Sequence, residues 1–207
     1  MFITFEGIDG VGKSTQARML TARLNLHGHH SILTHEPGGT DFGMKVRQLI
    51  KSEKNLSTYS QYHLIESQRD HHVTNVILPA IADNTHVICD RFIDTSFVYQ
   101  NSYMYFDDWL DYLESYRVVP DLTFLMYTDD VSSIKKRMVD RAGVEMDHFD
   151  NASIEKLIQM QDLFFDLVGQ FSRIVPINTD GSIETISEII YTRVRFAIED
   201  AIHPEET

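Results

Sequence analysis

Short apolar, β-branched runs recur along the chain near 2–6, 30–34, 86–90, 122–127 and 173–177, separated by longer stretches with apolar residues at helical spacing. That alternation predicts an α/β fold with a five-stranded parallel sheet covered by helices on both faces. The helix opening near Lys13 is amphipathic through Ala17, Leu20 and Leu24. The longest helix is expected from about Ser57 to Ala82, with Leu64, Val76, Ile77 and Ile81 for packing and His63, Glu66, Arg69, Asp70 and His71 as polar members. Pro120 leads into the fourth strand, after which Asp129 or Asp130 starts a helix carrying Ile134, Lys135, Arg137 and Met138. The last helix runs from about Ser182 to Ile198, with Ile186, Ile189, Ile190 and Val194 on its packing side, and an acidic tail follows Asp200.

In an open parallel sheet, ligands bind outside the carboxyl ends of the strands. Three polar clusters fall there: the loop from Gly7 to Thr15, the run Glu36-Pro37-Gly38-Gly39-Thr40, and Asp90-Arg91. The first, Gly7-Ile8-Asp9-Gly10-Val11-Gly12-Lys13-Ser14-Thr15, lies between a strand and a helix and reads as a phosphate-binding P-loop. Glycines at 7, 10 and 12 let phosphate oxygens approach the backbone N–H groups, and the helix N-terminus stands behind them. Lys13 supplies a point charge near the β- and γ-phosphates, and the Ser14 hydroxyl is offered to Mg²⁺.

The 207 residues suit one domain, with room for insertions but not for a second core. Eighteen Lys and Arg against 31 Asp and Glu give a formal charge of −13, which repels polyanions and argues against nucleic-acid binding. The single Cys89, in the run Val87-Ile88-Cys89, excludes an intrachain disulfide and reads as a buried strand residue. With no long apolar stretch and no basic leader before the first strand, the expectation is a soluble, cytoplasmic protein without membrane contact. His63, His71 and His72 lack partners at metal-site spacing and read as helix-surface residues.

A P-loop alone fits kinases, GTPases and motor ATPases alike. An Asn-Lys-x-Asp guanine reader and an Asp-x-x-Gly switch are missing in suitable context, which disfavours a GTPase. A small-molecule kinase needs positive side chains for an acceptor phosphate and a lid that excludes water. The segment from Asp140 to Asp150, with Arg141, Ala142-Gly143 and Asp147-His148, reads as that lid.

The P-loop, the Glu36-Pro37-Gly38-Gly39-Thr40 run, and Asp90-Arg91-Phe92 followed by Thr95-Ser96-Phe97-Val98-Tyr99-Gln100 together resemble the thymidylate kinases, in matching order over nearly the whole chain. The resemblance implies a P-loop nucleoside monophosphate kinase-like three-layer fold. One domain would span 1–207, with a substrate-side region near 36–75 and a lid near 138–150. It also implies transfer of the γ-phosphoryl of ATP, with Mg²⁺, to the 5′-phosphate of dTMP. Lys13 and the loop amides, Gly7, Gly10, Val11, Gly12 and Thr15 among them, would hold the donor, with Ser14 on Mg²⁺. Asp9 corresponds to the family's acidic residue near the acceptor phosphate, a metal-bound water and the sugar hydroxyl. Arg91 and Arg47 would contact the acceptor phosphate, and Arg69 would point to the pyrimidine edge. Tyr99 would lie against the sugar and disfavour a 2′-hydroxyl, while Thr95, Ser96 and Gln100 shape the pocket along with Glu36, Pro37 and Ile65. Asp90 is expected to orient Arg91 or a metal-bound water rather than abstract a proton, because the acceptor phosphate is already anionic.

The family pattern places lid arginines on the donor phosphates where Gly10 follows the P-loop acid; Arg141 is the first candidate and Arg137 the next. His148 stands where the family usually has Arg, Ile65 where it presents an aromatic ring to the base, and Asn101 where it has Gly. These departures leave open another or a 5-modified pyrimidine deoxynucleotide. The family is usually a homodimer through helices packed side by side. From a different functional class, a P-loop regulatory ATPase would hydrolyse or exchange nucleotide without an acceptor.

Overall fold

A computed structural model of the chain describes residues 1–99, 118–134 and 152–202. Its five strands are β1 (Phe2–Glu6), β2 (Ser31–His35), β3 (His86–Asp90), β4 (Leu122–Tyr127) and β5 (Ile174–Asn178). All pair in parallel in the order β2-β3-β1-β4-β5, so β1 is the central strand. Phe5 lies in register with Asp90 on one side and Phe124 on the other, and His35 with Asp90. β1 therefore ends at the switch point, where the order of connection reverses and a crevice opens.

The strands match the expected apolar runs to within a residue. β1 is buried at all five positions, and Phe124, Leu125 and Met126 bury β4. Phe2 packs edge-on against Phe92 with ring centroids 4.8 Å apart, and Phe5 meets Phe124 at 5.4 Å. Helix α1 (Lys13–Leu26) buries Ala17, Leu20 and Leu24 and contacts β2, β3 and the last helix, α7 (Ile183–Ile202). Cys89 is buried in β3, as its apolar neighbours suggest.

The stretch expected as one long helix is helical throughout but not uniform. It comprises α3 (Thr58–His72), a wide turn with π-type bonding over Val73–Ile77, and α4 (Leu78–Ala82). Pro79 has no N–H and its ring crowds the carbonyl four residues earlier, and the widened turn sits where that clash would fall. Ser57 caps α3 by accepting the N–H of Ser60. Asp130 caps the helical turn beginning at 131 in the same way, with Ser133 N 3.2 Å from its Oδ1. Helix α2 (Asp41–Ser52) is capped by the Thr40 side chain and packs on α3. Between these, α5 (Ile93–Tyr99) leaves the end of β3 and packs on α6 (Ile154–Phe165). The sequence reading did not anticipate α6, although Leu157, Met160 and Phe164, all buried, carry a helical stripe.

One buried ion pair ties α5 to the sheet. Arg173, just before β5, grips Asp94 with two hydrogen bonds of 2.6 and 2.7 Å and reaches Thr123 Oγ1 on β4 at 2.7 Å. Asp94 is buried, so losing its partner strands a charge in a low-dielectric interior. Arg173→Ala is expected to lower the unfolding free energy by about 3–5 kcal/mol in urea denaturation. Asp94→Ala/Arg173→Ala should lose less than the two single variants summed; a single-variant loss below about 1 kcal/mol would mean the pair is not a structural tie.

Candidate active site

The loop after β1 is held from below by Ile8 and Val11, both fully buried. Gly7 has φ +130°, and a Cβ there would sit 2.2 Å from the Met126 carbonyl oxygen, so only glycine fits this turn beneath β4. Gly12 precedes α1 in the left-handed region (φ +104°), and among the described residues no side chain caps that helix. The first-turn N–H groups are thus left without a side-chain cap, the condition under which a helix N-terminus receives an anion. Lys13 is buried, and its ammonium donates to the Ile8 carbonyl at 2.7 Å. Burial, followed by the charge of Arg91, pushes this lysine down to about 8 despite Asp9, Asp90 and Glu6 nearby.

Ser14 Oγ donates to Asp90 Oδ2 at the end of β3. The other carboxylate oxygen of Asp90 is buried and has no hydrogen-bond partner among the described residues. A hydroxyl beside an unsatisfied carboxylate is a hard oxygen donor set, and it fits Mg²⁺ bound through one or two side chains with phosphate completing the shell. Among the described residues, no cluster of three or more His, Cys, Asp or Glu offers a protein-only cage.

Across the crevice, Arg91 has φ +70°, unusual for a residue with a Cβ. Its Nη2 lies 2.6 Å from Asp9 Oδ1 and 3.2 Å from the Tyr99 hydroxyl, and its Nη1 lies 3.3 Å from Thr95 Oγ1. The Tyr99 hydroxyl donates to Asp9 Oδ2 at 2.8 Å, closing a knot of four side chains. Burial opposes the Asp9 charge, but Arg91 and Lys13, with the Tyr99 and Arg91 hydrogen bonds, hold its carboxyl well below the usual range. Burial raises the Tyr99 phenol far above its usual value. The ion-pair partner of Arg91 is thus Asp9, while Asp90 turns to Ser14.

The third cluster is built around Arg69, which α3 buries completely rather than leaving partly solvated. Its Nε donates to Glu36 Oε2 at 2.7 Å, Nη1 pairs with Glu66, and Nη2 meets Ser96 Oγ at 2.9 Å and the Phe92 carbonyl at 3.3 Å. Glu36, also buried, precedes a cis bond to Pro37. Its second oxygen lies 2.9 Å from His72 Nδ1, and His72 Nε2 lies 2.6 Å from Thr34 Oγ1. This corrects one expectation: His63 and His71 are exposed, but His72 is fully buried beneath the glycine run. A Cβ on Gly39 would come within 2.5 Å of its ring, so the tight packing of loop on helix draws it inward. Arg47 donates to the Pro37 carbonyl at 3.1 Å, Gln68 accepts the Gly38 N–H at 3.1 Å, and Ile65 is half-buried on α3.

Asp9, Arg91, Thr95 and Tyr99 are hydrogen-bonded in one knot and Ser14 to Asp90 in a separate pair, Lys13 feels the charges of Asp9, Asp90 and Arg91, and Arg69, Glu36 and Ser96 share another network. Gln100, Asn101, Arg137, Arg141 and His148 lie outside the described residues, as does the expected lid. Sequence reasoning passed over Glu6, Gln68 and His72, whose buried side chains hold the loops of the rim. For Glu6 a signal was present, because a carboxylate directly after Phe2-Ile3-Thr4-Phe5 stands in a strand otherwise made for the core.

This geometry agrees with what the chain is similar to. The sequence model of the thymidylate kinase family matches residues 5–190. The thymidylate kinase of Bradyrhizobium sp. (strain ORS 278) is 33% identical over 208 residues, covering 97% of this chain and 92% of the relative. That of Ehrlichia ruminantium (strain Gardel) is 38% identical over 198 residues, covering 91% and 93%. The crystal structure of thymidylate kinase from Ehrlichia chaffeensis superposes with a TM-score of 0.74 at 27% identity, over 94% of this chain and 98% of that one. Matched along nearly its whole length by the family's sequence model and by these relatives, and folded on the same sheet, the chain belongs to the thymidylate kinase family.

Proposed function

We propose that this rim performs the ATP-dependent phosphorylation of dTMP to dTDP, with the residues above in the following roles. The observation that carries the reading is the Asp9–Arg91 pair, 2.6 Å apart, which joins the anion loop to the end of β3. In this reading the pair is what brings donor and acceptor to one point at the end of β1.

The P-loop amides and Lys13 bind the donor phosphates, and Ser14 and Asp90 hold Mg²⁺. When bound, Mg²⁺ neutralises charge on the donor phosphates. Arg91, with Arg47 beside it, binds the acceptor 5′-phosphate and turns it toward the donor. Asp9 keeps the guanidinium oriented before the acceptor arrives and faces the acceptor phosphate and sugar. Because the acceptor oxygen is an anion, no residue needs to remove a proton, and catalysis consists of alignment and charge stabilisation. Tyr99, fixed by Asp9, lies against the sugar where a 2′-hydroxyl would crowd it. Arg69 and Ser96, already hydrogen-bonded to one another, frame the pyrimidine with Glu36, Pro37, Ile65, Thr95 and Gln100. Arg141, or after it Arg137, approaches the transferring phosphoryl from the lid, and Arg141→Ala lowers turnover at saturating substrate.

The chain works as one domain in the cytoplasm, as a homodimer through apolar helix faces, and does not bind nucleic acid. A formal charge of −13 supports the last point. No helix among the described residues is long and apolar enough to cross a membrane.

Measuring ADP formation from Mg-ATP with dTMP, dUMP, dCMP and a 5-hydroxymethyl analogue should give turnover that depends on dTMP. Preference for another pyrimidine would make Ile65 and Asn101 specificity changes, and acceptor-independent turnover would point to a regulatory ATPase. Arg91→Gln is expected to lower kcat/KM for dTMP by about 10²–10³, as the loss of one charge-stabilising donor does. A second expectation concerns Lys13, whose fold favours the neutral amine above about pH 8. Donor phosphates favour the ammonium, so ATP binding takes up a proton above that pH, and KM for ATP should rise by up to about tenfold per unit. Lys13→Met should bind ATP weakly with a flat profile; ATP binding unchanged in that variant would show that Lys13 does not carry the donor.

A further inference from the structure

Glu6 ends β1 and is almost wholly buried, a position where a carboxylate is costly unless its oxygens are satisfied. Both are engaged by the segment that follows β3. The Phe92 N–H donates to Oε1 at 2.7 Å, and the Thr95 hydroxyl donates to Oε2. Thr95 Oγ1 in turn accepts from Arg91 Nη1, and the Arg91 backbone N–H donates to the Phe5 carbonyl at 2.9 Å. The end of β1 thus grips the chain on both sides of the Arg91 side chain: through the peptide after it and through the hydroxyl beside its guanidinium. Arg91 needs such a grip, because a residue with a Cβ persists at φ +70° only when its surroundings over-determine it.

The charges around Glu6 do not favour an anion there for the sake of stability. Arg91 beyond β3, Lys13 on α1 and Arg173 before β5 face it, but so do Asp94 on α5 and the buried Cys89 thiol on β3. Burial, then the Asp94 charge, raises its carboxyl from 4.5 to about 7, against the Thr95 bond, the Arg91 charge and the Phe92 N–H. For a carboxyl raised in this way, the stabilising contribution is complete below pH 4.5 and is lost as pH rises through about 7. Above neutrality the buried carboxylate is thus held at a cost to the fold, and its two accepted hydrogen bonds are what it supplies there.

We propose that Glu6 is a positioning residue for the acceptor phosphate: its carboxylate anchors the Arg91–Phe92 turn and orients the Thr95 hydroxyl that steadies the Arg91 guanidinium. This rests on the reading of Arg91 as the acceptor-phosphate arginine. Protonating Glu6 removes the acceptor for the Thr95 hydroxyl, and so does Glu6→Gln, whose amide nitrogen is a donor. The variant keeps the shape and the oxygen that receives the Phe92 N–H.

The test is the ratio of KM for dTMP in Glu6→Gln to that in the parent protein, measured at pH 8.5 and pH 5.5; titration of the nucleotide phosphates cancels in that ratio. The expected result is a ratio of about tenfold at pH 8.5, the size of one lost charge-assisted hydrogen bond, falling toward one at pH 5.5, with KM for ATP changed less than twofold. A ratio near one at pH 8.5, or equal effects on both substrates, overturns the proposal. Should Glu6→Gln not fold, Glu6→Asp takes its place: its shorter carboxylate cannot hold the Phe92 N–H and the Thr95 hydroxyl together, so KM for dTMP should rise severalfold with KM for ATP changed less than twofold, and an unchanged KM for dTMP overturns the proposal. Arg91→Gln is measured alongside. If it raises KM for dTMP while Glu6→Gln does not, only the Glu6 proposal falls; if it leaves KM for dTMP unchanged, the reading of Arg91 falls and the proposal with it.

Discussion

Parallel pairing of β1 with a strand on each side is the constraint on which the rest of this structure depends. Because β3 and β4 run in the same direction as β1, the carboxyl ends of all three arrive at one rim. The loops that follow them have nowhere else to go. Residues far apart in the chain, such as Asp9 and Arg91, or Ser14 and Asp90, become hydrogen-bonded neighbours through this geometry. The apolar character of β1 makes it the central strand, and the turn at Gly7 beneath the Met126 carbonyl opens the loop immediately beyond the core.

The rim concentrates charge where the interior would otherwise exclude it. Glu6, Asp9, Lys13 and Arg91 form a compact set, each felt by its neighbours; burial disfavours every charge, and only at Asp9 and Arg91 do the neighbouring charges outweigh it. Arg91 is held in its charged state and Asp9 in its own, whereas Lys13 and Glu6 are drawn toward neutrality. Such a set is poorly matched to stability alone, since apolar residues of similar volume would serve the fold at least as well. It is well matched to a site that must receive phosphates, whose charge completes the balance that the side chains leave open.

Beside it, the Glu36, Arg69 and His72 network has a different character. Its members are fully buried and bonded to one another, to Thr34 and to Ser96, so it fixes the loop at Pro37 against α3 and α5. A buried, satisfied network of this kind is rigid. In the proposed function this network is the prearranged wall of the base pocket, to which Ile65 would add apolar surface.

Much of this was legible in the sequence because it depends on local rules. Apolar runs bounded by polar residues marked the strands, helical spacing marked α1 and α7, and the glycines of the P-loop stood where only a glycine backbone can turn. The order of these segments was enough to place three polar clusters on one rim and to suggest the family. The sequence did not show which carboxylate each arginine takes, that Arg69 and His72 lie inside, or that Glu6 reaches across to Phe92 and Thr95. Those pairings join residues some 30 to 90 positions apart, and they are chosen by the register of parallel strands and by how closely a helix packs on a loop. By itself, then, the sequence determined the fold class, the glycine-rich turn after β1 and the set of chemical groups, because backbone sterics and hydrophobic periodicity act over a few residues. Only the tertiary structure decided the partners and the protonation of those groups, because burial and Coulomb interaction depend on distance in space.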